Sequence, residues 1–168
     1  IRDRNGNNNE GEAVGNNIKK NIYMIAHTYP APFDYVVSVR DPNRVDQVIN
    51  IQFGNSIDIP FFLQDTIFFR DPQFFGFNSS PILLQPPIDY ANIGYTFIHN
   101  PNAFDIDGDS LHFELIPPKQ GTNSDVPSYQ YPDQINPNNQ PSSSENTISL
   151  NPATGEFIWD APQVAGAY

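Results

Sequence analysis

The fold is predicted from the stretch Ala103-Phe104-Asp105-Ile106-Asp107-Gly108-Asp109-Ser110-Leu111. Its three carboxylates at alternate positions converge only if the backbone turns back on itself, and Gly108 tolerates the positive φ that such a turn uses. A hard divalent cation removes the repulsion between them, and calcium accepts about six to eight oxygen ligands. The stretch therefore predicts a calcium site formed by Asp105, Asp107 and Asp109. The alternative is a polar turn between two strands, in which Asp and Gly serve turn chemistry alone.

Short apolar runs flank this loop and recur along the chain. Phe97-Ile98-His99 precede it, and residues 111–116 follow it with Leu111, Phe113 and Leu115 on one face. The 17 prolines and 10 glycines break helices and suit strands that are joined by many turns. The sequence thus predicts an all-β fold.

Further strands are predicted from the same signals, at residues 21–29, 33–40, 48–53, 60–69, 81–87, 95–99, 147–150 and 156–159. In the second of these, alternation predicts one core face formed by Phe33, Tyr35, Val37 and Val39. The run 60–69 is apolar enough to predict cover on both faces. The last two strands predict a hairpin whose turn places Gly155 at a position of positive φ.

Charge and composition exclude several classes of function. The 168 residues carry a formal net charge of −11, so the chain lacks the basic surface that nucleic acid requires. Cysteine is absent, so disulfide and thiolate chemistry are excluded, and only His27, His99 and His112 offer imidazole to a metal, which makes a zinc site a poor fit. His27 is interpreted as a structural residue near a strand end. No apolar run reaches the ~20 residues of a membrane-spanning helix.

Aromatic residues give two weaker candidates for a binding surface. Phe74, Phe75 and Phe77 form either an aromatic ligand platform or the packing of a domain junction. Tyr129 and Tyr131 lie in a long irregular stretch and either stack on a sugar or partner, or pin that stretch to the domain. Trp159, the single tryptophan, is interpreted as a core anchor.

The polar N-terminal residues 1–21 imitate a calcium loop at Asp3, Asn5 and Asn7. An EF-hand is excluded, because Asn8 stands where the invariant glycine is required and Val14 where the bidentate acid is required. A looser calcium turn and a solvated hairpin loop remain as alternatives.

The order of these motifs resembles a known module. Three patterns follow one another: Ala-Phe-Asp-x-Asp-Gly-Asp-Ser-Leu, then Asn-Pro-x-Thr-Gly-x-x-x-Trp at residues 151–159, then Pro-x-x-x-Gly-x-Tyr at 162–168. This series resembles the cadherin-like, immunoglobulin-type domain of bacterial surface proteins. Upstream, His27-Thr28-Tyr29-Pro30 before residues 35–39 resembles the end of a PKD-type repeat. A further series of short segments is similar to large surface proteins of Bacteroidetes that are associated with gliding motility and type IX secretion. These segments are Asp41-Pro42-Asn43-Arg44, Ile49-Asn50, Asn55-Ser56, Asn78-Ser79-Ser80-Pro81 and Pro86-Pro87-Ile88-Asp89.

The resemblance implies tandem immunoglobulin-like or cadherin-like β-sandwich domains. The first is a PKD-like or immunoglobulin-like β domain at 1–77, and the second is a cadherin-like domain at 78–168 that lacks its final strand or strands. It implies a non-catalytic, calcium-stabilised module of a longer adhesin-like protein at the bacterial cell surface, with structural Ca²⁺ at the three aspartates. The expected partners are neighbouring domains of the same chain and a surface glycan or protein ligand. Short acceptor motifs also place candidate O-glycosylation at Thr66 and Ser110.

Two other functions compete with this one. An ancillary carbohydrate-binding module of a secreted polysaccharide-degrading enzyme would use the aromatic candidates. Catalysis by paired carboxylates is not expected, because the sequence has no nucleophile elbow, zinc-binding helix or phosphate-binding loop to accompany them.

Overall fold

The computed structural model describes residues 11–15, 18–135 and 146–168, and in this part of the chain the fold is all-β, as predicted. The strands are β1 (Glu12–Gly15), β2 (Ile18–Lys20), β3 (Phe33–Asp41), β4 (Phe61–Phe69), β5 (Ile82–Leu83), β6 (Phe97–His99), β7 (Ala103–Phe104), β8 (Lys119–Gly121), β9 (Ser124–Asp125), β10 (Thr147–Leu150) and β11 (Phe157–Asp160). A one-turn helix, α1 (Pro72–Phe75), follows β4, and 3-10 turns occupy Gln52–Gly54 and Pro132–Gln134. None of the helical segments described is long and apolar enough to cross a membrane.

The strands form four antiparallel sheets. The largest has the order β3-β4-β8-β9, and a three-stranded sheet has the order β10-β11-β6. Two hairpin-sized sheets pair β1 with β2 and β5 with β7. The immunoglobulin-like arrangement of these sheets stays a prediction.

The long β3–β4 hairpin dominates the largest sheet. Nine residue pairs run from Phe33 opposite Phe69 to Asp41 opposite Phe61, and the strands are rich in the β-branched and aromatic residues that suit a pleated surface. β4 continues to β8 through the pair Phe62 and Lys119. Strands from both sides of the predicted boundary at residue 77 therefore share one sheet, and the division into domains 1–77 and 78–168 stays a prediction.

Arg44 adds a second connection across the same sheet. Its Nε donates to the carbonyl of Pro60 at 3.2 Å and its Nη2 to the carbonyl of Lys119 at 2.6 Å, while the guanidinium lies over the ring of Phe61. Partial burial lowers the Arg44 pKa from its ordinary value. The side chain acts as a fork that holds the start of β4 beside β8.

The apolar core is small and depends on polar residues at its edges. Ile51, Ile59 and Val126 form the buried cluster, against which Val48 and Tyr129 pack. Beside it the fully buried Ser56 hydroxyl donates to the Val45 carbonyl at 2.6 Å and accepts the Val48 N–H at 3.0 Å. The hydroxyl thereby provides hydrogen-bond partners for backbone groups of a loop that lies outside the strands.

A second buried centre surrounds Trp159. The indole is 5% exposed, its Nε1 donates to Asn146 Oδ1 at 2.8 Å, and its ring meets Tyr168 edge-on with centroids 4.8 Å apart. Asn146 in turn donates to the carbonyl of Asp133 at 2.9 Å. The prediction that Trp159 is a core anchor is confirmed.

The prediction of a core face on residues 33–40 is wrong, as is that of full cover for 60–69. Phe33 is 69% exposed and Leu63 is 58% exposed, and they share one face of the hairpin with Val37 and Val39, which are also exposed. Period-two alternation correctly identified side chains on one face. It could not supply a second layer: Tyr29 packs on Tyr35 and Phe69 at one end of this face, while the rest of its apolar side chains named above stay exposed.

Three predicted strands are also absent. Residues 21–29 and 111–116 run without a ladder partner in the described chain, and 48–53 enter a turn in which Phe53 has φ +54. Phe113 nevertheless donates its N–H to the carbonyl of Pro152 at 2.9 Å. A strand requires a neighbouring edge for its N–H and C=O groups, and local composition does not reveal whether one is available.

The C-terminal hairpin is confirmed. β10 and β11 pair from Thr147 opposite Asp160 to Leu150 opposite Phe157, and Gly155 has φ +73 in the connecting turn. Asn151 organises that turn, because its side-chain oxygen accepts the N–H groups of Ala153 and Thr154.

Candidate functional site

The acidic loop begins directly after β7 and is built around Asp105. This carboxylate is 8% exposed, and its Oδ1 accepts the N–H of Asp107 at 2.9 Å and of Asp109 at 3.3 Å. Gly108 has φ +84 and donates its N–H to the Asp105 carbonyl at 3.4 Å. A side chain that replaces backbone acceptors in this way closes a tight turn, so the prediction of a turn with positive φ at Gly108 is confirmed.

The three aspartates have different surroundings. Asp105 faces inward, Asp107 Oδ2 accepts the N–H of Ser79 at 2.6 Å, and Asp109 lies exposed at the end of the loop. In the described ranges, no three His, Asp or Glu side chains stand close enough together to share a metal ion. The calcium site at Asp105, Asp107 and Asp109 therefore stays a prediction, as does the alternative of a turn without metal.

The donor chemistry of the loop fits a hard cation. The oxygens of Asp105, Asp107 and Asp109 are carboxylates, the ligand type that calcium prefers. Imidazole does not compete, because His112 lies beyond the loop on an exposed position. Calcium, when bound, would supply positive charge that offsets the mutual repulsion of these carboxylates in a chain of net charge −11.

Side chains behind the loop connect it to the largest sheet. Ser79 binds Asp107, and the adjacent Ser80 hydroxyl donates to Asp65 Oδ2 on β4 at 3.3 Å. The segment at residues 78–80 therefore bridges the acidic loop and β4. Of the two candidate glycosylation sites, Ser110 is exposed and Thr66 is half-buried on β4, and modification at both stays a prediction.

An open cavity of about 420 Å³ lies beside β6 and contains an acid and imidazole pair. His99 Nδ1 is 3.4 Å from Asp89 Oδ2, and Gln85 and Asn100 add polar groups to the lining. Asp89 therefore stands close enough to orient the His99 imidazole. The sequence did not indicate that Asp89 and His99 meet, because ten positions and an irregular loop separate them.

The aromatic candidates divide into two environments. Phe74, Phe75 and Phe77 on and after α1 are all largely exposed, Phe77 by 83%. Tyr129 and Tyr131 meet edge-to-face with centroids 5.2 Å apart, and Tyr129 packs against the core of Ile51, Ile59 and Val126. The structure therefore favours the alternative in which Tyr129 holds its irregular stretch against the domain.

Titration of Tyr129 gives a test of that packing. Burial, followed by the charges of Tyr131 and Asp133, raises the pKa of Tyr129 to about 12 from an ordinary value of 10.0. A raised pKa in the folded state means that the phenol contributes full stability below pH 10 and that this contribution is lost as the pH rises toward 12. Urea-unfolding midpoints measured from pH 8 to about 12 should fall over that window, and less steeply in Tyr129→Phe. Equal slopes in the two proteins would contradict the buried phenol.

No family model, curated protein or solved structure matches this chain.

Proposed function

We propose that this chain is a non-catalytic, calcium-stabilised extracellular module of a large bacterial cell-surface adhesin-like protein, of the kind linked to gliding motility or surface attachment. One observation carries the proposal. The nearly buried Asp105 carboxylate is held by two backbone N–H groups in a loop that carries two further carboxylates, Asp107 and Asp109.

The energetic argument concerns the cost of assembling these charges. Asp105, Asp107 and Asp109 lie on one turn of the folded chain, and a cation that binds them there would stabilise the native state by mass action. Ser79 and Ser80 connect the loop to β4, so order in the loop supports the segment at residues 78–80. A module that is rigid only with calcium suits an extracellular setting, where millimolar affinity is sufficient.

The first test is thermal unfolding with calcium and with chelator. At a calcium concentration of about 100 times Kd the expected stabilisation is about 2.7 kcal/mol, which corresponds to a rise in Tm of about 5–10 °C. Asp107→Asn should abolish the rise while keeping an oxygen acceptor for the Ser79 N–H. The matched control is Asp58→Asn, an exposed aspartate outside the loop, which should respond to calcium like the parent. Superimposed curves for the parent with and without calcium would reduce the loop to a polar turn.

The alternative function, an ancillary carbohydrate-binding module, is favoured by the exposure of Phe74, Phe75 and Phe77. Three uncovered aromatic rings within four positions offer an apolar platform of the kind on which sugar rings stack. Glycan arrays should then show a signal that Phe74→Ala and Phe77→Ala remove. Tyr129→Ala and Tyr131→Ala test the other aromatic pair, and a parent without any glycan signal would leave this function unsupported.

A further inference from the structure

The outer edge of β3 is open. In the sheet order β3-β4-β8-β9, β3 pairs with β4 on one side, and on its other side no strand of the described chain pairs with it. The edge is nine residues long and includes the exposed apolar residues Phe33, Val36, Val37 and Val39. A long, apolar edge of unpaired N–H and C=O groups is a template for another strand.

The segment at residues 22–29 has the complementary properties. Its sequence Ile-Tyr-Met-Ile-Ala-His-Thr-Tyr predicts a strand, yet in the structure it pairs with no strand described, and Met24 and Ile25 are 82% and 97% exposed. An isolated extended segment of this composition exposes apolar surface and leaves its backbone groups to water. It matches the length of the open edge closely.

Straightening the connection between the segment and β3 breaks the hydrogen bond that the Tyr35 hydroxyl donates to the Ala31 carbonyl at 2.8 Å. Only residues 30–32, Pro-Ala-Pro, separate the segment from β3, and the chain bends there. Tyr29 and Ala31 each precede a proline, which biases their backbones toward extended conformations. If the bend opens, residues 22–41 become one continuous strand.

We propose that two copies of this chain pair through this continuous strand, with residues 22–29 of each copy adding to the open edge of β3 in the other. A two-fold axis at Ala31 makes the exchange reciprocal and antiparallel. In this register Ile25 lies opposite Val37 of the second copy, and Tyr23 lies opposite Val39. The added strand supplies the main-chain partners that the edge of β3 lacks.

In the bent chain Tyr29 occupies the β3–β4 face of its own copy, and in the proposed dimer the Tyr29 of the second copy takes that place. Tyr29 already packs on the β3–β4 face, with its ring 4.3 Å from that of Tyr35 and 6.2 Å from that of Phe69. The proposed register places Tyr23, Ile25, His27 and Tyr29 on this same face, beside Phe33, Tyr35, Val37 and Val39. Apolar and aromatic cross-strand neighbours of this type stabilise antiparallel pairs.

The proposed contact brings few like charges of the two copies together. The chain carries a net charge of −11, which repels copies from one another in general, but residues 21–32 contain no Asp, Glu, Lys or Arg. β3 itself carries Asp34, Arg40 and Asp41, and in the proposed register it faces this uncharged segment, so no like charges stand opposite each other. The contact comprises the eight residues of the segment and the nine of β3 from each copy, slightly fewer than the ~20–30 residues a side of a standard interface.

The absence of cysteine makes site-directed crosslinking decisive. Ile25→Cys and Val37→Cys are prepared as separate proteins, mixed and oxidised. Opposed residues of an antiparallel pair have Cα atoms about 4.5–5.5 Å apart, which is within the disulfide range of about 4.4–6.8 Å, so a mixed disulfide between the two proteins is expected. Ile93→Cys, an exposed isoleucine outside the four-stranded sheet, is the matched control with Val37→Cys and should give little product.

Sedimentation velocity supplies the second measurement. The parent should dimerise, Ile25→Lys should weaken dimerisation about tenfold or more, and Ile93→Lys should dimerise like the parent. A parent that stays monomeric at about 100 μM overturns the proposal. An Ile25→Cys/Val37→Cys double variant that closes its disulfide within a monomer also overturns it, in favour of a hairpin within one chain. Both measurements are made with chelator present, so their outcome is independent of calcium binding.

Discussion

Replacement of Trp159 by alanine is expected to lower the free energy of unfolding by about 3–5 kcal/mol. The indole is buried, contacts the ring of Tyr168 and donates to Asn146, so truncation opens a cavity and leaves a buried amide oxygen without its donor. Urea unfolding checks the result, as a lower midpoint with an unchanged m value.

Two comparisons make this prediction specific. Phe77→Ala removes an exposed aromatic ring and should change the free energy of unfolding by less than about 0.5 kcal/mol. Trp159→Phe and Asn146→Ala, combined in a double-mutant cycle, should show a coupling energy of about 1 kcal/mol for the Nε1 to Oδ1 hydrogen bond. Equal losses for Trp159→Ala and Phe77→Ala would refute Trp159 as a core anchor.

Substitution of Gly155 by alanine is expected to cost about 2–4 kcal/mol of unfolding free energy. Gly155 has φ +73, which strains any residue with a Cβ, and a Cβ there would lie 2.7 Å from Cε1 of the Phe113 ring. The Phe113 backbone is bound to Pro152 in the same turn, so the contact can be relieved only by a rotation of the ring or a shift of the turn. Chemical denaturation measures the loss.

Gly108→Ala is the matched control for this prediction. Gly108 has a similar φ of +84, but a Cβ added there would meet no atom within 4 Å beyond its chain neighbours, so only the backbone cost of about 1–2 kcal/mol is expected. In a Phe113→Leu background, the effect of Gly155→Ala should fall toward that of Gly108→Ala. Equal costs for the two glycine substitutions in the parent would show that the contact with Phe113 is unimportant. Both are measured with chelator, so that calcium binding does not contribute.

Turn chemistry accounts for the parts of the candidate site that were predictable from sequence. Asp105 and Gly108 are types that close a turn through their own side chain or through positive φ, and they do so at the predicted positions. The bond from Ser79 to Asp107 was not predictable, since 28 residues separate the two and no local pattern connects them. The pair of Asp89 and His99 was not predictable from the sequence for the same reason.

The strands of the fold were likewise predictable from the sequence only in part. Alternation and composition identified β3, β4 and the β10–β11 hairpin, because their strand character is local and each finds a partner nearby in the chain or across a long hairpin. Residues 21–29 have equally strong strand character but pair with nothing in the described chain. The difference between them lies in the availability of an edge, which local sequence does not encode.

By itself, the sequence determined the all-β class, the turns at Gly108 and Gly155 and the burial of Trp159, because these depend on backbone stereochemistry and side-chain hydrophobicity. The tertiary structure alone decided that the β3–β4 face is exposed, that β8 joins the sheet of β4, and that Asp107 binds Ser79. Such features depend on which distant segments meet, and that choice is made by the free energy of the whole packed chain.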